Sequence, residues 1–320
     1  MTRRISWIFI ASAIISTNLN AQERNDVIKA YNEGAKSMQT DPQAAIAAFE
    51  NVITLSDKVG ESASDLKQKA VKVLPGLYVK VASNALNEKK PAAEIIRAAK
   101  VATQAAEKYG STTGKENAGK ILALGYYNLG IELFTGKDYN NALLAFDSLL
   151  TIIPGHTAGI YNKALIYRSQ NNSAGFEENI DSFIEKVKGA NDSAKVKQAS
   201  RMALEYFRAA GSQANQANKL DEALALLNKS AKYGDDKELF YFFADVYNKQ
   251  KNFESGAEYA RKGLDLETGN AEAKAKFYFQ LGLAQAGKGK TAEACASFKN
   301  AMYGAFAEAA KAQRTNLKCQ

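Results

Sequence analysis

Residues 126–154 decide the fold, and they read YYNLGIELFTGKDYNNALLAFDSLLTIIP. Apolar residues recur at helical spacing on both sides of Gly136, a residue type that is common where helices stop. Two helices that cross closely need small residues at the crossing and a large residue beside them. The stretch therefore predicts a helical hairpin with Gly130 and Ala142 at the crossing and Phe146 next to it.

The same spacing recurs along the chain. In each copy, a second small residue follows the first after twelve positions. A core residue comes four positions after the second small residue, and another core residue comes three positions after that. The four sets are Gly130, Ala142, Phe146 and Leu149; Gly211, Ala223, Leu227 and Ser230; Ala244, Gly256, Ala260 and Gly263; and Gly282, Ala294, Phe298 and Ala301. A fifth set, Ala164, Phe176, Ile180 and Phe183, has a bulky residue in the second small position. With helical spacing almost everywhere and no convincing alternation, the sequence predicts an all-α chain of about 15 helices.

These hairpins resemble the tetratricopeptide repeat (TPR), whose motif combines an aromatic residue, Leu-Gly and Tyr with a second helix carrying Ala, Phe and Pro. The stretch quoted above supplies Tyr126, Leu129, Gly130, Ala142, Phe146 and Pro154, and a later one supplies Tyr278, Leu281, Gly282, Ala294, Phe298 and Ala301. The resemblance covers roughly two thirds of the chain beyond residue 21, with Tyr, Phe or Ile in the tryptophan slot of the family. It implies a right-handed superhelix, an α-solenoid, with a C-terminal capping helix.

The sequence divides at about residue 115, with diverged TPR-like hairpins over 22–115 and the repeat array with its capping helix over 116–320. Near the start, a repeat whose turn is two residues shorter is indicated by Tyr31, Gly34, Ala35, Ala45, Phe49 and Val52. Residues 60–115 predict paired long helices without a clear motif, so a diverged repeat and a separate helical cap both stay open. Pro75-Gly76 is expected to kink or split its helix.

Residues 1–21 have the three-part layout of a secretory signal peptide. Arg3-Arg4 supplies the positive start, Ile5 to Ile15 forms an apolar stretch, and Ala21 precedes a polar sequence at the expected cleavage point. The apolar stretch is short for a membrane-spanning helix. The sequence therefore predicts export, with no integral membrane segment after cleavage.

Composition argues against catalysis and against nucleic-acid binding. The chain of 320 residues contains one histidine, His156, and two cysteines, which leaves little material for a zinc site or a nucleophile–histidine pair. The net charge of +8 is spread among alternating acids and bases instead of forming a basic stripe. We assign no catalytic, cofactor-binding or metal-binding residue, and we expect His156 to be an exposed turn residue.

Cys295 and Cys319 lie on the last predicted hairpin, and in an exported protein they are candidates for a disulfide. The two positions are not level if the turn is at Gly304, so the last residues would have to fray or fold back. Two unpaired thiols are the alternative.

The TPR resemblance implies that first helices line a concave groove, with the residue after the aromatic slot pointing into it. The residues in that position are Tyr127, Tyr161, Arg208, Tyr241 and Phe279. Three neighbouring side chains are expected to lie close to them, namely Asn128, Asn162 and Arg168. Aromatic and arginine side chains are enriched at binding hot spots. The alternative is that the aromatic rings pack between repeats as core.

Together these features predict a non-enzymatic, exported scaffold or adaptor, periplasmic in a Gram-negative envelope or secreted, that binds a protein or peptide segment in its groove. A solenoid that binds glycans or small ligands through the same aromatic groove is the alternative. Salt would separate the two, because recognition of an acidic peptide through Arg208 and Arg168 weakens with ionic strength. The sequence does not identify the partner, the pathway or the oligomeric state.

Overall fold

The computed structural model describes the backbone of residues 6–320 and the side chains of residues 22–320. Every regular element in this part of the chain is a helix, as the sequence predicts. The signal peptide predicted for residues 1–21 lies outside the described side chains, and its cleavage stays a prediction. The chain forms two compact units, Met1–Asn179 and Ile180–Gln320, whose boundary differs from the sequence division near residue 115.

The first unit consists of successive helices joined by short turns. They are α1 (Ser6–Ser37), α2 (Pro42–Val59), α3 (Ser64–Asn87), α4 (Ala92–Lys108), α5 (Thr112–Thr135), α6 (Tyr139–Ile152) and α7 (Thr157–Ser169). Helix α8 (Ser173–Gly189) contains the boundary between the units. Residues 60–115 include a short 3-10 turn, Gly60–Ala63, followed by α3 and α4, which form a hairpin packed between α2 and α5.

The second unit continues the alternation of first and second helices. It contains α9 (Ser193–Gln216), α10 (Leu220–Ala231), α11 (Lys237–Lys249), α12 (Phe253–Leu266), α13 (Ala271–Gly287), α14 (Thr291–Asn300) and α15 (Ala307–Asn316). Helix α15 packs on α14 and buries Ala310 completely, which gives it the position of the predicted capping helix.

Three hairpins cross where the sequence places their small residues. A Cβ atom on Gly130 would lie 2.7 Å from the Phe146 ring, and one on Gly282 would lie 2.8 Å from the Phe298 ring. Gly211 meets Leu227 in the same way, at 2.8 Å. Since both phenylalanine rings are completely buried, the small residue and the large one fill the crossing together. The predicted hairpin geometry is therefore confirmed.

The first hairpin differs slightly from its prediction. Gly34 faces Phe49, with a Cβ-to-ring distance of 3.0 Å, whereas Ala35 is exposed. The small and large positions are thus fifteen residues apart, one fewer than between Gly130 and Phe146. The spacing is therefore one residue shorter than in the regular repeat, and not two, and the turn is not the cause: four residues separate α1 from α2, whereas three separate α5 from α6.

Pro75 does not split its helix, because α3 runs without a break from Ser64 to Asn87. The proline is buried, and its side chain lies beside the Cα of Gly114, where a Cβ atom would approach it to 3.1 Å. Burial of the ring against the next hairpin offsets the hydrogen bond that proline cannot donate.

Many of the helices begin at side-chain caps, and many end at left-handed residues. Asp41, Asp138, Asp192 and Asp236 each accept a backbone N–H from the first turn of the helix that follows. Several turns use residues other than glycine at positive φ, namely Lys89, Lys137, Asn171, Asn191, Asn218, Lys251 and Lys318. The glycines expected to end helices are therefore only part of the turn chemistry.

Candidate functional site

Within each unit the first helices of successive hairpins lie side by side. Helix α5 contacts α7 in the first unit, and α11 contacts both α9 and α13 in the second. We use the term first-helix wall for the surface that these helices form within one unit. The eight residues predicted for the groove all lie on first helices, five in the first unit and three in the second.

Tyr127 contributes to both the wall and the core of the first unit. Its half-buried ring lies edge-on to the Phe146 ring, at 6.1 Å between centroids, and 5.4 Å from the ring of His156. Such edge-to-face pairs stabilise packing. At this residue, therefore, the packing role that the sequence left open is present.

His156 is not a simple exposed turn residue. Its half-buried side chain caps α7, because Nδ1 accepts a hydrogen bond of 3.1 Å from the backbone N–H of Gly159. Histidine is an uncommon N-cap residue. A prediction of helix starts from the usual N-cap residues, Ser, Thr, Asp and Asn, therefore misses it.

Other polar groups of the first unit remain available on its wall. Asn128 and Arg168 are exposed, whereas Asn162 is half-buried and donates through Nδ2 to the carbonyl of Ala158, at 2.8 Å. Arg168 lies near enough to the half-buried Tyr161 to influence it. Burial raises the pKa of the Tyr161 phenol, and the positive charge of Arg168 opposes part of that rise. The two residues thus lie on the same helix, α7, seven positions apart and near enough for their charges to interact.

In the second unit, Arg208 is not a free cation. Its guanidinium forms an ion pair and hydrogen bond with Asp236, the residue that caps α11, and the arginine side chain is only 20% exposed. The expectation that Arg208 would offer its charge to an acidic ligand therefore conflicts with this pairing. A sequence cannot show it, since the two residues are 28 positions apart and meet only when the hairpins stack.

Tyr241 and Phe279 are also half-buried. The Tyr241 ring lies 6.3 Å from the buried Phe277 ring, and the Phe279 ring lies 5.7 Å from the Phe298 ring. Burial raises the pKa of the Tyr241 phenol, and the negative charge of Asp245 raises it further. Both rings thus take part in packing within the second unit.

A polar cluster that the sequence reading missed joins the three first helices of the second unit. Asp245 of α11 accepts hydrogen bonds from Asn215 Nδ2 of α9, at 2.6 Å, and from Gln280 Nε2 of α13, at 2.9 Å. Lys249 Nζ pairs with Asp245 and donates to Asn215 Oδ1, both at 2.8 Å. Polar contacts of this kind fix the register of packed elements because unpaired buried groups are costly. The sequence does contain a pattern that points to this cluster: an asparagine follows the first small residue of the hairpin by four positions, at Asn215 after Gly211 and at Asn248 after Ala244.

Asn248 extends this cluster and explains a glycine. Its Nδ2 donates to both the carbonyl and the Oε1 of Gln280, each at 2.9 Å, while its buried Oδ1 has no hydrogen-bond partner and lies against the Cα of Gly256. A Cβ atom at residue 256 would overlap this oxygen. Three of the four in-register second helices carry alanine at this position, and the side chain of Asn248 accounts for the glycine in α12.

Replacing Gly256 with alanine is expected to lower the free energy of unfolding by about 1–3 kcal/mol, because Asn248 must leave its bonds to Gln280 to make room. Urea denaturation followed by circular dichroism measures the change. The double variant Gly256→Ala/Asn248→Ala should lose less than the sum of its single variants. Gly119→Ala is the control, since a Cβ atom there meets open space and should cost nothing. A Gly256→Ala protein as stable as the parent would contradict the packing described.

The described residues lack both a cluster of metal ligands and a membrane-spanning helix. Among them, no three or more His, Cys, Asp or Glu side chains are grouped as metal ligands. In the same part of the chain, no helix has both the length and the apolar character needed to cross a membrane.

No family model matches the chain, and the curated proteins contain no match to it. The crystal structure of MamA protein is 18% identical over 62% of this chain and 96% of its own, with a TM-score of 0.34. YrrB, described as a TPR protein with an unusual peptide-binding site, is 15% identical over 56% of this chain and 84% of its own, with a TM-score of 0.33. A tetratricopeptide repeat protein from Parabacteroides merdae ATCC 43184 is 17% identical over 93% of this chain and 99% of its own, with a TM-score of 0.30.

Since all three TM-scores are below 0.5, the fold assignment rests on the hairpins themselves. Their antiparallel helices, the small residues at each crossing and the large residue beside them reproduce the repeat that the sequence resembles. Over the residues that the structure describes, the fold is thus all-α and built of TPR-like helical hairpins.

Proposed function

We propose that this chain is an exported, non-enzymatic TPR-type scaffold that binds a protein or peptide segment of a cell-envelope partner on its first-helix walls. Stacked helical hairpins bury a quasi-one-dimensional core and leave long surfaces for partners. The layout of residues 1–21 supports export, with the periplasm or the exterior as the destination.

The observation that carries this proposal is the set of side chains on the first-unit wall that the core does not use. Arg168 is exposed on the same helix as half-buried Tyr161, seven residues after it, and exposed Asn128 directly follows Tyr127 on α5. A rigid ring next to an exposed guanidinium and an amide is a combination that recognises peptide groups and carboxylates. Since Arg208 is paired with Asp236, Arg168 supplies the cation in this account.

Binding of a glycan or another small ligand is the second candidate, and the same half-exposed rings favour it, because sugar rings stack on aromatic faces. The two candidates differ in their dependence on salt. Binding of an acidic segment through Arg168 weakens as ionic strength rises, whereas glycan stacking does not.

The charge reversal Arg168→Glu tests the proposal. We expect it to reduce capture of the envelope partner by about tenfold or more, since it replaces an attractive charge with a repulsive one. Lys58→Glu is the matched control, because it makes the same change at an exposed site on a second helix, α2, and should leave capture unchanged. Equal capture by both variants, with unchanged helical content, would argue against a first-helix binding site.

A further inference from the structure

A segment of the chain itself lies on the first-helix wall of the second unit. Between α14 and α15, a short 3-10 turn, Gly304–Phe306, packs against α13. The ring of Phe306 lies 5.4 Å from the Phe279 ring and 6.4 Å from the Tyr241 ring. These two rings belong to different first helices, so one aromatic side chain bridges the wall at the predicted groove positions.

The residues around Phe306 are small, and at Gly304 the backbone conformation and the neighbouring Glu272 favour this. Gly304 has φ +53°, and a Cβ atom on it would lie 2.5 Å from Glu272 Oε1 of α13. Ala305 and Ala307 flank the phenylalanine on either side. A bulky residue in place of Gly304 would meet Glu272, so the surface accepts an aromatic side chain carried on a slim stretch of backbone.

This segment is fixed at both ends, and two of the residues between them are exposed. Ala301 before it and Ala310 after it are completely buried, and Cys319 is bonded to Cys295. Met302 and Tyr303 are 40% and 47% exposed. Displacement of Phe306 would move the short turn between α14 and α15, in which Phe306 is half-buried and directly precedes α15.

We propose that the Tyr241–Phe279 surface is a receptor for an aromatic side chain flanked by small residues, and that Phe306 occupies it in cis. A partner protein with an exposed phenylalanine between glycine or alanine residues displaces Phe306 and takes its place. This inference rests on the proposed binding function and names the partner chemistry for the wall of the second unit. The seated segment is the evidence for that chemistry, since it shows which side chain and which neighbours fit.

A tethered occupant has a direct consequence for affinity. Flexible tethers give effective concentrations of roughly millimolar, so an external segment competes with Phe306 for the site. The apparent dissociation constant is the intrinsic one divided by the fraction of molecules whose site is open. Removing Phe306 while keeping the rest of the surface should therefore tighten binding.

The probe is a fluorescein-labelled peptide with the sequence of residues 301–308, AMYGAFAE, and its control replaces phenylalanine with alanine. Fluorescence anisotropy with the full-length chain measures binding. We expect Phe306→Ala to bind the phenylalanine peptide about tenfold or more tightly than the parent. Phe306→Tyr, which keeps a ring in the site, should bind as weakly as the parent, and the alanine peptide should bind neither variant.

A second variant locates the binding surface. Phe306→Ala/Phe279→Leu keeps an apolar side chain in α13 but removes the ring, and it should lose most of the gain. Circular dichroism and thermal unfolding verify that each variant is folded. If a variant does not fold, excess unlabelled phenylalanine peptide added to the parent chain should speed amide hydrogen exchange at Phe306, whose N–H bonds to the carbonyl of Tyr303, and the alanine peptide should not.

Two results would overturn the inference. One is equal, weak binding of both peptides by a folded Phe306→Ala chain. The other is a parent dimer in sedimentation that becomes monomeric in Phe306→Ala, which would assign the surface to a second copy of this chain. Either result leaves the proposed function standing if Arg168→Glu still reduces capture of the envelope partner, so the two failures are distinguishable.

Discussion

Replacing Phe277 with alanine is expected to lower the free energy of unfolding of the second unit by about 3–5 kcal/mol. The Phe277 side chain is completely buried, and its ring packs directly on the Cα of Gly263, with Tyr241 edge-on at 6.3 Å. Gly263 belongs to α12 and Phe277 to α13, so the contact joins two successive hairpins. Truncation leaves a cavity that rigid helices cannot close.

Urea denaturation followed by far-UV circular dichroism measures this loss. Tyr303→Ala is the control, since it removes a side chain that is 47% exposed in the same unit and should change stability by less than about 0.5 kcal/mol. If the two units unfold in separate transitions, the loss belongs to one of them only. A Phe277→Ala chain within about 0.5 kcal/mol of the parent would show that the hairpins do not stack through this ring.

Loss of the bond between Cys295 and Cys319 is expected to cost about 3 kcal/mol. The Cα atoms are 5.6 Å apart, and the bond closes a loop with a sequence separation of 24. The chain reaches this geometry by folding back after α15, where Lys318 adopts φ +55° and Cys319 N–H bonds to the carbonyl of Arg314, at 2.9 Å. Arg314 Nη1 in turn donates to the carbonyl of Cys295, at 2.6 Å.

Thermal unfolding of Cys319→Ser, compared with the parent under oxidising conditions, measures this effect. Adding a dithiol reductant should lower the melting temperature of the parent and leave that of Cys295→Ser/Cys319→Ser unchanged. Thiol counting on the denatured, unreduced protein provides the chemical check. Two free thiols in that experiment would rule out the bond.

The sequence was sufficient for the architecture because the architecture depends on local periodicity. Gly130 and Phe146, or Gly282 and Phe298, belong to one hairpin, and their spacing predicts that they meet. The turn residues were harder to predict, since Lys137 takes the left-handed position directly after the expected Gly136. Lysine has no strong preference for that conformation, so propensity alone does not identify it.

The surface chemistry depended on contacts that no local pattern encodes. Arg208 meets Asp236, and Phe306 meets Tyr241, across 28 and 65 residues, only after hairpins have stacked. The packing of hairpins decides whether such a side chain is free or paired. The predicted groove residues consequently range from exposed Asn128 to half-buried Phe279, and their role in binding stays a prediction.

The most direct test of the central claim, that this chain is an exported scaffold using its first helices, is crosslinking in the native envelope fraction. The tagged chain is crosslinked, purified and analysed by mass spectrometry for both the partner and the crosslinked positions. We predict one envelope protein recovered repeatedly, with crosslinks concentrated on first helices such as α5, α7, α11 and α13. Recovery of the chain alone, or crosslinks confined to second helices, would contradict the account.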